Sequence, residues 1–329
     1  ERLAGEAFRF MTPAPDAEAT RARIAFCSCA DEDAGTASGW RAMLAEKPEV
    51  VVLLGDTPYI DSTELDVLRR RYREFATFAP MAAILRSTPW YGTWDDHDFG
   101  KNDTDGDLEG KQYSRQAFVE YHANPTYGEA DEGIYTRFRR GAVGVFLLHS
   151  LFLAGPQPSP LDADDTTLLG RRQWQWLKDG LAASTAPFKV LACGMIWNGA
   201  TRPNKPDHWM SYSHERDGVL RLIGELDVSG VVLVGGDIHR SRVLRHRCAE
   251  LAGYDVPELI TSPMHDSIID EANAPHRDLV WDSGAGHTFL VLTADASAKP
   301  ATLDAKFFAA GAGVTFETTF TLDELSNGR

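Results

Sequence analysis

Two uninterrupted apolar runs each stop at glycine followed by aspartate: Val50-Val51-Val52-Leu53-Leu54-Gly55-Asp56 and Val231-Val232-Leu233-Val234-Gly235-Gly236-Asp237-Ile238-His239. Runs this short and this rich in β-branched residues read as strands buried on both faces, so helices must cover the sheet they form. Each strand then carries a carboxylate at its C-terminal end, the edge at which open α/β sheets bind ligands. The glycines let backbone or ligand approach closely there. A single Gly-Asp at a strand end is most simply a turn or a helix cap. Two of them, with Tyr59 three residues after one aspartate and His239 two after the other, instead suggest a cation cage.

The rest of the chain keeps the same alternation. Buried strands are expected at residues 23–27, 50–54, 90–94, 143–148, 188–193 and 231–234. Amphipathic helices are expected at 38–46, 64–76, 115–121, 171–181 and 215–226. Alternating strand and helix gives α/β architecture. Beyond Asp237 the pattern turns to strands at 242–247, 258–261, 288–292, 303–308 and 315–321, which are expected to complete a sheet by antiparallel pairing. Polar segments at 102–112, 155–167 and 202–214 read as surface loops of the length that often carries function.

At 329 residues the chain fits one large α/β unit, and a single compact domain is the preferred reading. Lys and Arg number 33 against 48 Asp and Glu, a net charge of −15 that argues against bulk nucleic-acid binding. No apolar run is long enough to span a bilayer. The first residue is Glu1 rather than Met, which suggests a processed or trimmed product from which any export signal was removed beforehand. Cys27, Cys29, Cys193 and Cys248 form no CxxC pair, so a zinc ribbon or thioredoxin-like motif is excluded. Strand alternation places Cys27 and Cys29 on one face. P-loop, GxSxG, HExxH and GxGxxG patterns are absent, which removes the usual anchors of nucleotide-dependent, serine-hydrolase and zincin chemistry.

A third element, Trp94-Asp95-Asp96-His97-Asp98-Phe99-Gly100-Lys101-Asn102-Asp103, follows the strand at 90–94. Adjacent carboxylates repel unless a cation or strong donors compensate, so this dense donor set suits a hard or borderline metal.

In this order the motifs resemble the PhoD-like alkaline phosphatase and phosphodiesterase family of metallophosphatases. The matching residues are Ile24-Ala25-Phe26-Cys27-Ser28-Cys29, Gly55 to Tyr59, Trp94 to Asp98 with Asn102, Leu169-Gly170-Arg171-Arg172-Gln173-Trp174-Gln175-Trp176-Leu177, and Gly236 to His239. The resemblance implies a four-layer αββα sandwich with two mixed β-sheets, spanning residues 21–329 behind an N-terminal extension at 1–20. It implies Cys29, Asp56, Tyr59, Asn102, Asp237 and His239 as metal ligands, and ferric iron with calcium as the metals, other divalent ions being possible. It also implies export to the periplasm or the extracellular space.

The implied activity is metal-dependent hydrolysis of a phosphoric ester, with a metal-activated hydroxide attacking phosphorus in line. Asp96 and His97 are the catalytic candidates. His97 either stabilises the transition state or protonates the leaving alkoxide, or else orients Asp95 or a ligand. The substrate would be a small phosphate ester or a phosphodiester in a polymer or lipid headgroup. One departure stands out: where the family has Leu-Asp-Thr/Ser-Arg, this chain reads Leu148-His149-Ser150-Leu151. Without that arginine, phosphate must be met by another cation such as Arg202, Lys205, Arg216 or Arg240. Otherwise the chain hydrolyses a non-phosphate ester or is a catalytically impaired metal-binding homologue.

Overall fold

The computed structural model describes residues 20–328, so the extension expected at 1–20 lies outside it except for Thr20. The chain begins with β1 (Arg21–Cys27), α1 (Thr36–Ala45), β2 (Val50–Leu54), α2 (Leu65–Thr77), α3 (Ala79–Ser87) and β3 (Trp90–Thr93). After β3 come the single turn α4 (Asp96–Phe99), then α5 (Lys111–Tyr121) and a hairpin of β4 (Thr136–Arg140) and β5 (Val143–Leu147). Two crossovers follow: α6 (Gly170–Ala183) leads to β6 (Phe188–Ala192), and α7 (Ser213–Glu225) leads to β7 (Val231–Gly235). The remainder comprises β8 (Ser241–His246), α8 (Ala249–Ala252), β9 (Val256–Ile260), β10 (Leu279–Ser283), β11 (Thr288–Asp295), β12 (Thr302–Ala309) and β13 (Gly313–Thr321).

These strands form two mixed sheets. The first is six-stranded in the order β13-β12-β11-β1-β2-β3, and the second seven-stranded in the order β10-β8-β9-β7-β6-β5-β4. Pairing is parallel from β1 to β3 and from β5 through β6 and β7 to β9. It is antiparallel at β1–β11, across β11 to β13, and at β4–β5, β8–β9 and β8–β10.

The period-two alternation of the strands sorts their side chains into layers. Ile24, Phe26, Val50, Val52 and Leu54 enter the large core shared with the second sheet. Ala25, Cys27, Val51 and Leu53 pack on the opposite face against Trp40, Met43, Met81 and Ile84 from α1 and α3. On the far side, Leu177 and Leu181 of α6 and Val219 and Ile223 of α7 join the large core. Helix, sheet, sheet and helix make the four-layer αββα arrangement that the resemblance implied.

Three details differ from the sequence reading. The C-terminal strands divide between the sheets, and β9 runs parallel to β7, because β8 and β9 form an antiparallel pair whose second member lies beside β7. Elements α3, α4, α8, β4 and β10 lie outside the expected segments. Cys27 and Cys29 do not share a face: β1 ends at Cys27, and Cys29 adopts a left-handed conformation (φ 55°) that turns it away from the strand register.

Candidate metal centre

The ends of β1, β2, β3 and β7 converge, and the polar residues following them are buried together. Cys29, Asp56, Asp95, Asp96, Asp98 and Asp237 are each at most 6% exposed. Several adopt a backbone conformation uncommon for side chains with a Cβ, with φ of 55° at Cys29, 51° at Asp56, 68° at Asp237 and 52° at His239. Such strain persists only where the surroundings enforce it, and it collects at functional sites.

Glycine makes the convergence possible. Gly55 has φ of 98°, and a Cβ there would overlap the backbone nitrogen of Asp95. A Cβ on Gly194 would come within 2.6–2.7 Å of the Asp95 side chain. The expected consequence of Gly55→Ala is a loss of about 1–3 kcal/mol together with weaker metal binding, since both φ and space are violated. Urea denaturation of the metal-free protein measures the first effect, and a variant as stable as the parent contradicts this reading of the β2 turn.

Asp98 acts as a strut. Its Oδ1 accepts from the backbone N–H of Asp95 at 2.6 Å and of Asp56 at 3.3 Å, tying the two aspartate-bearing loops together. Asp56 Oδ1 accepts from the His97 backbone N–H at 3.3 Å. Cys29 Sγ lies 3.6 Å from Asp56 Oδ2 and receives the Ser262 hydroxyl at 3.2 Å. The Tyr59 hydroxyl reaches His239 Nε2 at 3.0 Å and His265 Nε2 at 2.9 Å. His97 Nδ1 pairs with Asp61 at 2.6 Å, so its ring is oriented by Asp61 and makes no bond to Asp95.

Four groups place ligand atoms within 4.8 Å of one another: Cys29, Asp56 and His239; Asp56, Asp96 and His97; Asp56, Asp95 and Asp237; and Asp96, Asp103 and Asp207. Five of the six residues expected as ligands therefore come together, Tyr59 through its hydrogen bond to His239. Asn102 is exposed. Its neighbour Asp103 belongs to the last of these groups, with its backbone N–H donating to Asp96 Oδ2 at 2.7 Å. Sequence reasoning did not single out Asp103, Asp207 and His265 as ligands. Asp207 lies in the loop flagged at 202–214, whereas His265 follows β9 with no Gly-Asp signal to mark it.

The electrostatics show why these side chains fit a metal. Both oxygens of Asp95, and one each of Asp96, Asp98, Asp207 and Asp237, are buried without a hydrogen-bond partner, as is His239 Nδ1. Buried unpaired acceptors of this kind are costly, and so many in one place call for a cation. Burial, with repulsion from Asp96, pushes Asp56 up to about 8. Burial, with repulsion from Asp237, pushes Asp207 up to about 9. Asp95 is raised well above the usual carboxylate range by burial and then by Asp237 and Asp96. Burial drives His239 down to about 3, leaving a neutral imidazole suited to ligation. Burial also lowers His97, but Asp56, Asp96 and Asp61 outweigh it and hold the ring above its ordinary value.

The segment where the arginine is missing packs into the body. His149 is fully buried beside Trp94, Tyr135 and Phe152. Gln173 clamps its backbone, accepting from its N–H at 3.0 Å and donating to its carbonyl at 2.8 Å. Leu151 is a core residue, and with Ser150, Met195, Asp207 and Tyr212 it lines a cavity of about 110 Å³ beside the acidic groups. Of the four replacement cations, Arg216 binds the Trp197 carbonyl and Asp217, and Arg240 binds Asp282. Arg202 and Lys205 reach the cluster: Arg202 holds Asp103 at 2.9 Å, and Lys205 holds Asp207 and Asp237, each at 2.9 Å.

Alkaline phosphatase D of Bacillus subtilis (strain 168) is 28% identical over 278 residues, which cover 70% of this chain and 48% of that protein. The chain thus spans about half the length of this curated relative. A solved structure of PhoD superposes with a TM-score of 0.75 at 20% identity, covering 95% of this chain and 72% of the other. A purple acid phosphatase from yellow lupin (Lupinus luteus) seeds superposes with a TM-score of 0.70 at 12% identity, over 94% of this chain and 55% of the other. Both share the fold. The family model for PhoD-like phosphatase matches residues 24–285, and the chain belongs to that family.

Proposed function

We propose that this protein is a metal-dependent phosphoric ester hydrolase, a phosphodiesterase or phosphomonoesterase of the alkaline phosphatase type. The observation that carries the reading is the set of buried, unpartnered carboxylate oxygens on Asp95, Asp96 and Asp237 at the ends of β3 and β7. Cys29, Asp56 and His239, with Tyr59 adjacent, offer a mixed sulfur, oxygen and nitrogen set that suits iron. Asp56, Asp95 and Asp237 offer oxygen alone, which suits calcium or another hard divalent ion. Metals held there would neutralise the phosphoryl oxygens and acidify the attacking water.

The remaining roles fall to the chain's own side chains. Asp56 and Asp237 present oxygens toward the shared space between the two sheets. Asp98 fixes the Asp95 and Asp56 backbones and so sets where those oxygens point. With Nδ1 committed to Asp61, His97 has Nε2 left to give a proton to the departing alkoxide. The cavity lined by Leu151 and Tyr212 offers room for a small substituent of the ester. No helix among the described residues is long and apolar enough to cross a membrane. We assign the chain to the periplasm or extracellular space on the family resemblance.

The test is hydrolysis of a chromogenic phosphodiester and its monoester, before and after chelation, with iron and calcium restored. Chelator-sensitive turnover is expected. Carboxylester turnover without phosphoester turnover favours the non-phosphate ester hydrolase. Metal binding with no hydrolysis of any ester favours the impaired homologue.

A further inference from the structure

Lys205 is a lysine inside an acidic cluster, and its side chain is only 4% exposed. Its ammonium meets three carboxylates: Asp207 Oδ2 at 2.9 Å, Asp237 Oδ1 at 2.9 Å and Asp103 Oδ1 at 3.4 Å. The ammonium donates hydrogen bonds to Asp207 and Asp103 and forms an ion pair with Asp237. The arrangement divides Asp237. One oxygen faces Lys205, while the other is buried without a partner and belongs with Asp56 and Asp95. Asp103 is further neutralised by Arg202, at 2.9 and 3.2 Å to its two oxygens. The acidic residues thus fall into an inner part of Asp56, Asp95 and Asp237 and an outer part of Asp96, Asp103 and Asp207; each part keeps buried unpaired oxygens, but two of the three outer carboxylates, Asp103 and Asp207, are already held by the chain's own cations.

We propose that the Lys205 ammonium is a built-in cation of this centre, occupying the outer side of Asp237 and keeping a metal ion out of the group formed by Asp96, Asp103 and Asp207. A divalent ion at that group would sit next to an ammonium and draw on the carboxylates it already holds. Like charges at such separation are strongly unfavourable in a buried site. The centre therefore loads fewer metals than its carboxylates can coordinate, and the lysine completes its charge balance. The inference rests on the reading of this site as a metal centre, but it concerns stoichiometry rather than turnover.

The experiment strips the purified chain with chelator, reloads it with excess Mn²⁺, desalts it and measures manganese per chain. Titration calorimetry with Mn²⁺ gives an independent count. Lys205→Met is expected to bind about one further equivalent, because the outer carboxylates become free to act as oxygen ligands. Adding Asp207→Asn to that variant is expected to remove the gain, and Lys205→Arg, which keeps the charge, to bind as the parent does. In the parent background Asp207→Asn should leave the manganese count unchanged, a measurement that stands even if Lys205→Met fails to fold. A Lys205→Met count equal to the parent, or an equivalent lost on Asp207→Asn alone, overturns the proposal. A parent chain that binds no manganese overturns the metal-centre reading itself. Binding without phosphoester hydrolysis would overturn the proposed activity and leave this inference standing.

Discussion

Asp56→Asn is expected to lower kcat/KM for a phosphoester by about 10³-fold or more, equivalent to roughly 4 kcal/mol of transition-state stabilisation, through loss of metal-assisted charge neutralisation. Asp56 takes part in three of the four groups of clustered ligand atoms, more than any other residue. Asparagine keeps its shape and can still accept the His97 backbone N–H, so the loop geometry should survive while the charge is lost. The same substitution should not destabilise the metal-free protein. Burial and the neighbouring Asp96 disfavour the ionised Asp56 side chain, so removing its charge relieves repulsion instead of breaking a pair. The expected signature is a lost activity with a midpoint in chelator equal to or above that of the parent. In metal the order should reverse, because the parent gains stability from binding that the variant lacks. A variant that retains most of its turnover would remove Asp56 from the reaction.

Glu215→Ala is expected to have the largest effect on stability of any substitution outside the centre. The carboxylate is fully buried in the first turn of α7. It accepts from the hydroxyls of Ser159 at 2.7 Å and Thr167 at 2.6 Å, and from the backbone N–H groups of Leu168 and Leu169, each at 3.0 Å. One side chain therefore fastens the middle and the C-terminal end of the long loop between β5 and α6. Alanine would leave four buried donors without an acceptor, at a cost of about 3–5 kcal/mol. For a chain of this size that is a fall in Tm of roughly 4–7 °C. Glu215→Gln keeps one acceptor oxygen but turns an NH₂ group toward existing donors, so it should fall between the two. Thermal melts of both variants measure this, and an alanine variant within about 1 kcal/mol of the parent would contradict the accounting.

Both substitutions show what the sequence makes legible. Asp56 stands where an apolar strand runs into glycine, and strand ends in α/β sheets have a known chemistry, so its place and character follow from local pattern. Asp237, His239 and the Asp95 to Asp98 segment are legible for the same reason. Glu215 is not: in sequence it is an acidic residue near the start of an amphipathic helix, indistinguishable from a solvated one. Its burial depends on a loop more than forty residues earlier folding over it. Lys205, Asp207 and His265 belong with Glu215, because their positions depend on loop packing, which has no period to read. The division of the C-terminal strands between two sheets is likewise a choice of partner, and alternation tells a strand which face to bury without telling it beside whom.

The position of the centre also bears on how the molecule is assembled. Cys29 and Asp56 extend from the first sheet and Asp237 and His239 from the second, so the ligand set spans the junction between them. A metal bound there would act as a clasp between two layers that otherwise meet through side-chain packing and scattered bonds such as Ser241 to Thr288 and Thr93 to the Leu148 carbonyl. During synthesis the clasp has nothing to close on until the chain has passed residue 239 and β7 has found its place. Metal capture would then be a late event that reports the docking of one sheet on the other, and a chain that stalls with only one sheet formed should be unable to keep the ion.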